Sequence, residues 1–155
     1  MPIKKVKDYL NRNDVKYVTI SHSPAYTSME VAASAHVSGN ELAKTVMVKV
    51  DGNMSMVILP ASYKIDFGLL KELTGANKVE LATEDEFVSM FPNCEVGAMP
   101  PFGNLYNMAV YVSETLTKDV EIAFTAGFHN ELIKMTYKDF AKLVKPIVMK
   151  ISVLV

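Results

Sequence analysis

TVMVKVDGNMSMVIL, Thr45 to Leu59, is the stretch whose reading decides the fold. Thr45 to Val50 is rich in β-branched residues, Asp51-Gly52 is a favoured two-residue turn, and Met54 to Leu59 returns, so the segment reads as a β-hairpin. Toward the N-terminus, Ile3, Val6 and Leu10 recur at helical spacing among Lys4, Lys5, Lys7 and Asp8, an amphipathic helix that Asn11 to Asp14 end. Tyr17, Val18 and Ile20 read as a short strand. Ser21-His22-Ser23-Pro24 then interrupts regular structure, and Thr27 or Ser28 can cap a second helix that carries Glu30 and Val31 to Ala33 and fades at Ser38-Gly39-Asn40. Toward the C-terminus, Asp66 caps a helix with Phe67, Leu70 and Leu73 facing inward, closed by Gly75. A short strand, Lys78 to Ala82, precedes Thr83 and Glu86, which have the spacing of a capping box for a helix through about Met90.

The chain then changes character. Pro92, Gly97, Pro100, Pro101 and Gly103 fall within twelve residues, too many breakers for a helix or an internal strand, so this is a shaped loop. Strands follow at Met108 to Ser113, Glu121 to Ala126 and Glu131 to Met135, and a last helix runs from Thr136-Tyr137 to near Val144. About seven strands and five helices without a tandem repeat make an α+β fold: one domain, residues 1–146, on a mixed, mainly antiparallel sheet with surrounding helices. The apolar tail, Ile147 to Val155, reads as an added edge strand or a partner surface.

Composition sets outer limits on function. With 155 residues, half of them apolar, the chain suits one compact core. The longest apolar runs fall well short of a bilayer span, and the first residues lack the apolar block of a secretory signal. A single cysteine, Cys94, cannot form an internal disulfide, and the expected home is a reducing cytoplasm. A net charge of -1 argues against the broad phosphate-binding face of a duplex DNA binder, so any nucleic-acid partner is held locally, by a few residues.

Several side chains could carry chemistry, each with a plainer alternative. His22, His36, Cys94 and His129 include no close ligand pair, so neither a metal nor another cofactor is expected. Cys94 could be a nucleophile with His129 as its base, or simple filler beside Pro92 and Asn93. Lys44 opens a strongly apolar strand, where it either reaches water or serves a site. The loop from Gly97 to Gly103 is either a rigid connection with Phe102 pinned to the core, or a preorganised set of backbone amides of the kind that ester hydrolysis needs. His129 lies at a strand-to-strand turn, where it is expected to be exposed enough to meet substrate.

At these residues a resemblance enters. "SHSPAYTSMEVA", "ELAKTVMVKVDG", "GAMPPFGN" and "AGFHNELIKMTYKDFAKLVKP" stand in the order and at about the separations seen in the YbaK and prolyl-tRNA-synthetase-associated editing-domain family, over residues 3 to 146. The resemblance implies a cytoplasmic hydrolase that removes a small noncognate amino acid, such as alanine or cysteine, from the 3′ adenosine of a tRNA, with tRNA-Pro among the candidates. It implies a site of Lys44, Gly97 and His129. Substrate contacts would come from His22, Tyr26, Thr27, Thr45, Ala98, Met99, Pro100, Pro101, Phe102 and Gly127. Partners would be the aminoacyl-tRNA acceptor end and an aminoacyl-tRNA synthetase that presents it, with action in trans and neither a membrane nor DNA involved. Met47, Met99 and Phe102 are candidates for a size gate, with a place in the core as the alternative. Two rival readings stay open: a tRNA- or synthetase-binding module of the same fold without catalysis, and a cysteine hydrolase using Cys94.

Overall fold

The computed structural model describes residues 2–22, 28–35 and 37–154, with only the backbone of residues 2, 3, 28 and 34. The described elements are α1 (Pro2–Arg12), β1 (Val18–Ser21), α2 (Ser28–Ala35), β2 (Ala43–Val50), β3 (Asn53–Pro60), β4 (Tyr63–Ile65), α3 (Phe67–Thr74) and β5 (Val79–Leu81). After these come α4 (Glu84–Phe87), β6 (Ala109–Ser113), β7 (Glu121–Thr125), β8 (Glu131–Thr136), α5 (Tyr137–Val144), β9 (Ile147–Met149) and β10 (Ser152–Leu154). The Ser23-Pro24 break, a Thr27 cap, Tyr26 and His36 lie outside the described residues, as do the side chains of Ile3 and Ser28.

The hairpin forms as its sequence reads. β2 pairs antiparallel with β3 from Ala43 opposite Pro60 to Val50 opposite Asn53. Asp51 and Gly52 both take positive φ, 49° and 81°, the mirror-image turn whose twist matches that of the strands it joins. This hairpin is the centre of a five-stranded sheet in the order β5-β2-β3-β6-β9, in which β6 and β9 are added in parallel. A second sheet, β1-β8-β7, and the pair β10-β4 are wholly antiparallel. Five of the seven pairings are therefore antiparallel, and the fold is the expected single α+β domain on mixed sheets.

Capping chemistry sets the helix ends. Asp66 Oδ1 accepts the Leu69 N–H at 3.0 Å, and Gly75 leaves α3 at φ 71°. Thr83 and Glu86 form the capping box of α4, which tightens into a 3-10 turn at Val88–Met90. Of the three residues expected to face inward from α3, only Leu70 is buried; Phe67 is 37% and Leu73 48% exposed. The tail explains why. Ile151 is fully buried against Leu70, Val57 and Leu59, and its carbonyl accepts the Asp66 N–H at 2.8 Å, so a single helical position suffices to seat α3.

The tail is built into both neighbouring sheets, β9 along β6 and β10 along β4. Three strands beyond the seven expected, β4, β9 and β10, are each three residues long, too short for a periodic signal. The main core lies between the sheets and helices α1 and α5, around a cluster in which Phe102 meets Phe124 and Phe140 at centroid distances of 5.4 and 5.5 Å. A smaller cluster under α2 gathers Val31, Ala32, Leu42, Ala61, Ala123 and Leu132. Among the described residues no helix is long and apolar enough to cross a membrane.

Candidate active site

Two loops distant in sequence close on each other. In the segment between α4 and β6, three prolines remove N–H donors, so the segment depends on the few bonds its other amides can make. Cys94 N–H turns back to the Phe91 carbonyl at 3.1 Å, and Ala98 N–H to the Glu95 carbonyl at 3.0 Å. Two further bonds cross to the turn between β7 and β8. Glu95 N–H donates to the Gly127 carbonyl at 2.8 Å, and Gly127 N–H donates to the Ala98 carbonyl at 2.7 Å.

His129 tightens this clasp from the other side. Its backbone N–H donates to Glu95 Oε1 at 3.0 Å, and its ring Nε2 lies 2.7 Å from the Val96 carbonyl oxygen. A carbonyl can only accept, so Nε2 carries the proton in this contact. The side chain is 5% exposed, which corrects the expectation of a solvent-facing histidine: the ring serves the loop and is covered by it. Gly97 sits directly against that ring at φ 88°. A Cβ there would stand 3.4 Å from His129 Cε1, an ordinary contact, so it is the left-handed backbone that calls for glycine.

Strand register ties the start of β2, where Lys44 lies, to β7. An isolated parallel bridge joins Leu42, the residue before β2, to Ala123 of β7, and Ala123 N–H donates to the Glu41 carbonyl at 3.1 Å. Leu42 and Ala123 both belong to the cluster under α2. Two residues on, and so on the same face, stand Lys44 and Thr125, and two beyond Thr125 the chain enters the clasped turn at Gly127. Lys44 is half-buried, donates to the Ala61 carbonyl at 3.3 Å, and has its pKa lowered by that burial.

The other expected contacts divide. His22 borders the turn, its N–H donating to the Asn130 carbonyl at 3.0 Å. Ala98, Pro100 and Pro101 are buried in the loop, and the Met99 sulfur accepts the Gly97 N–H at 3.2 Å. Thr45 lies on the opposite face of β2 from Lys44, in line with Ala43 and Met47 and opposite Ile58. Met47, Met99 and Phe102 are 3%, 4% and 0% exposed, so the core, rather than a gate, takes all three.

Burial pushes the Cys94 thiol up to about 11, leaving it protonated and a poor nucleophile at neutral pH. Among the described residues no three His, Cys, Asp or Glu side chains gather as a metal cage requires. Sequence reading missed Glu95, whose N–H and carboxylate reach Gly127 and His129, more than thirty residues away.

Residues 22–143 match the family model described as the aminoacyl-tRNA editing domain. Two proline–tRNA ligases resemble the chain over 103 residues, at 30% identity in Bacillus cytotoxicus and 27% in Bacillus mycoides. The match takes in 64% of this chain and 18% of each ligase, so the chain spans less than a fifth of those relatives. Among solved structures, hypothetical protein APE2540 superposes with a TM-score of 0.85 at 25% identity, covering 96% of this chain and 99% of the other. A candidate trans-editing enzyme for prolyl tRNA synthetase superposes at 0.80 with 21% identity, covering 97% and 96%.

Proposed function

The chain belongs to the aminoacyl-tRNA editing domain family, and from that premise we propose that it is a trans-acting deacylase hydrolysing the ester between a small noncognate amino acid and the terminal adenosine of a tRNA. Alanine and cysteine are the leading acyl groups, and tRNA-Pro the leading carrier, because the similar ligases charge proline. A synthetase pocket gains only ~1–3 kcal/mol per methylene, too little to exclude smaller amino acids, and hydrolysis at a second site supplies the missing discrimination.

The observation that carries the reading is the disposition of the Gly97 amide. Ala98 N–H is committed to the Glu95 carbonyl, whereas Gly97 N–H is held by a thioether sulfur, a weak acceptor that a developing oxyanion displaces. As water attacks the ester carbon, negative charge gathers on the carbonyl oxygen, and this donor stabilises it without rearrangement of the loop. The carbon–oxygen bond to the ribose then breaks, the ribose oxygen takes a proton, and free amino acid and tRNA leave. Lys44 holds the terminal phosphate or ribose. His129 Nε2, already donating to Val96, is not the base; its part is to hold the loop, and the neighbouring ribose hydroxyl orients the water.

The test is release of labelled amino acid from a panel of mischarged tRNAs. Turnover of at least one small noncognate pair, with correctly charged prolyl-tRNA spared, is expected. Binding of these tRNAs without release would favour the non-catalytic module.

A further inference from the structure

Glu95 lies at the centre of the clasp although no established role requires it. Its backbone N–H reaches Gly127, its carbonyl closes the turn onto Ala98, and its carboxylate takes the N–H of His129. The residue is exposed, among the described residues it forms no salt bridge, and its carboxylate bonds to the His129 N–H. An ionised acceptor on a backbone N–H makes a stronger bond than a neutral one. His129 is itself buried, and its ring in turn supports the Val96 carbonyl next to Gly97. One carboxylate thus sets the histidine, the histidine sets the carbonyl before Gly97, and that peptide fixes where the Gly97 N–H points.

We propose that Glu95 is a positioning residue for the Gly97 amide, acting by accepting the His129 backbone N–H. This rests on the deacylase reading for its kinetic consequence, while the latch itself is a property of the fold. Glutamine at this position presents a side-chain oxygen at the same reach, whereas alanine has no acceptor and aspartate is one methylene short. Misplacement of a reacting group by about 1 Å costs roughly 100-fold. The expectation for Glu95→Ala is a loss of about 10- to 100-fold in the single-turnover rate at saturation, with the half-saturating enzyme concentration within about threefold of wild type.

The experiment measures saturating single-turnover rates for wild type, Glu95→Ala, Glu95→Asp and Glu95→Gln on the mischarged tRNA that wild type cleaves fastest. Hydrogen exchange of the His129 amide is followed by NMR on the same proteins. Glu95→Gln should retain rate within about threefold, on the argument that an amide oxygen still accepts, and should keep the His129 amide protected. Glu95→Ala and Glu95→Asp should lose both. A Glu95→Ala protein with wild-type rate, or a Glu95→Gln protein as slow as Glu95→Ala, overturns the proposal. If wild type cleaves none of the tRNAs, the deacylase reading fails on its own, and unchanged His129 exchange in Glu95→Ala then decides against the latch as well.

Discussion

Gly97→Ala tests whether the left-handed turn at the clasp matters to activity or merely tolerates a glycine. The added methyl group meets His129 Cε1 at 3.4 Å and Nε2 at 3.7 Å, so it fits without collision. What remains is the backbone: φ is 88°, and holding a residue with a Cβ in a left-handed conformation costs about 1–2 kcal/mol. If the loop stays clasped, that cost appears as global destabilisation, a fall in melting temperature of roughly 2–8 °C for a chain of this size. If the loop relaxes, the same energy shifts about 5- to 30-fold of the population out of the clasped form, and single-turnover deacylation falls by up to that factor. Gly52→Ala is the matched control, since Gly52 has φ 81°, has open space around its missing Cβ, and lies at the far end of the hairpin from Lys44. It should lose comparable stability and keep its deacylation rate. The assay is thermal unfolding beside single-turnover cleavage for both variants. Equal rates in Gly97→Ala and wild type, together with an unchanged melting temperature, would refute the argument from backbone conformation.

Three more outcomes are expected. Cys94→Ala should deacylate within about twofold of wild type, and Cys94 should alkylate slowly at pH 7, because burial holds its thiol near 11; a hundredfold loss of rate would instead make the thiol a reactant. Hydrogen bonds from Lys49 and from the Thr83 backbone N–H lower the Glu86 pKa to about 2, below the ordinary 4.5, so its contribution to stability is complete above pH 4.5 and lost as pH falls toward 2. Denaturant midpoints across that window should therefore drop less steeply in Glu86→Gln than in wild type, and identical acid slopes would contradict the pairing. Phe102→Ala should cost about 3–5 kcal/mol as the aromatic cluster loses its middle ring, read as a large fall in the denaturant midpoint; a loss below about 1 kcal/mol would place Phe102 outside the core.

Legibility in the sequence followed how local each signal is. Asp51-Gly52, the Asp66 and Gly75 caps, and the Thr83 to Glu86 box each specify their own geometry within a few residues, and each formed. The breaker-rich segment before β6 was readable as a loop for the same reason: prolines and glycines act on their own backbone. The inward face of α3 was not readable, because its one buried side chain, Leu70, packs in a cluster with Ile151, some eighty residues downstream, while Leu73 stays exposed. His129 was misplaced for a similar reason. A histidine in a turn reads as exposed, and only the return of Glu95 and Val96 to the turn buries it. The family motifs pointed to Lys44 and Gly97, but the side of the strand that each side chain takes, and so the separation of Lys44 from Thr45, Met47 and the core, came from pairing across the sheet.

The most direct test of the account is single-turnover hydrolysis of alanyl- and cysteinyl-tRNA-Pro by wild type and Lys44→Ala, with thermal unfolding run on both. Lys44 lies near the start of β2, two residues after the bridge from Leu42 to Ala123, half-buried and donating to the Ala61 carbonyl, and its ammonium would fix the terminal phosphate or ribose. Wild type should cleave measurably, and Lys44→Ala should be roughly 100-fold slower with its melting temperature retained, the loss expected when an ester is misplaced relative to its catalytic donor. Cleavage by Lys44→Ala within about threefold of wild type would contradict this, because a positioning loss of this kind is far larger.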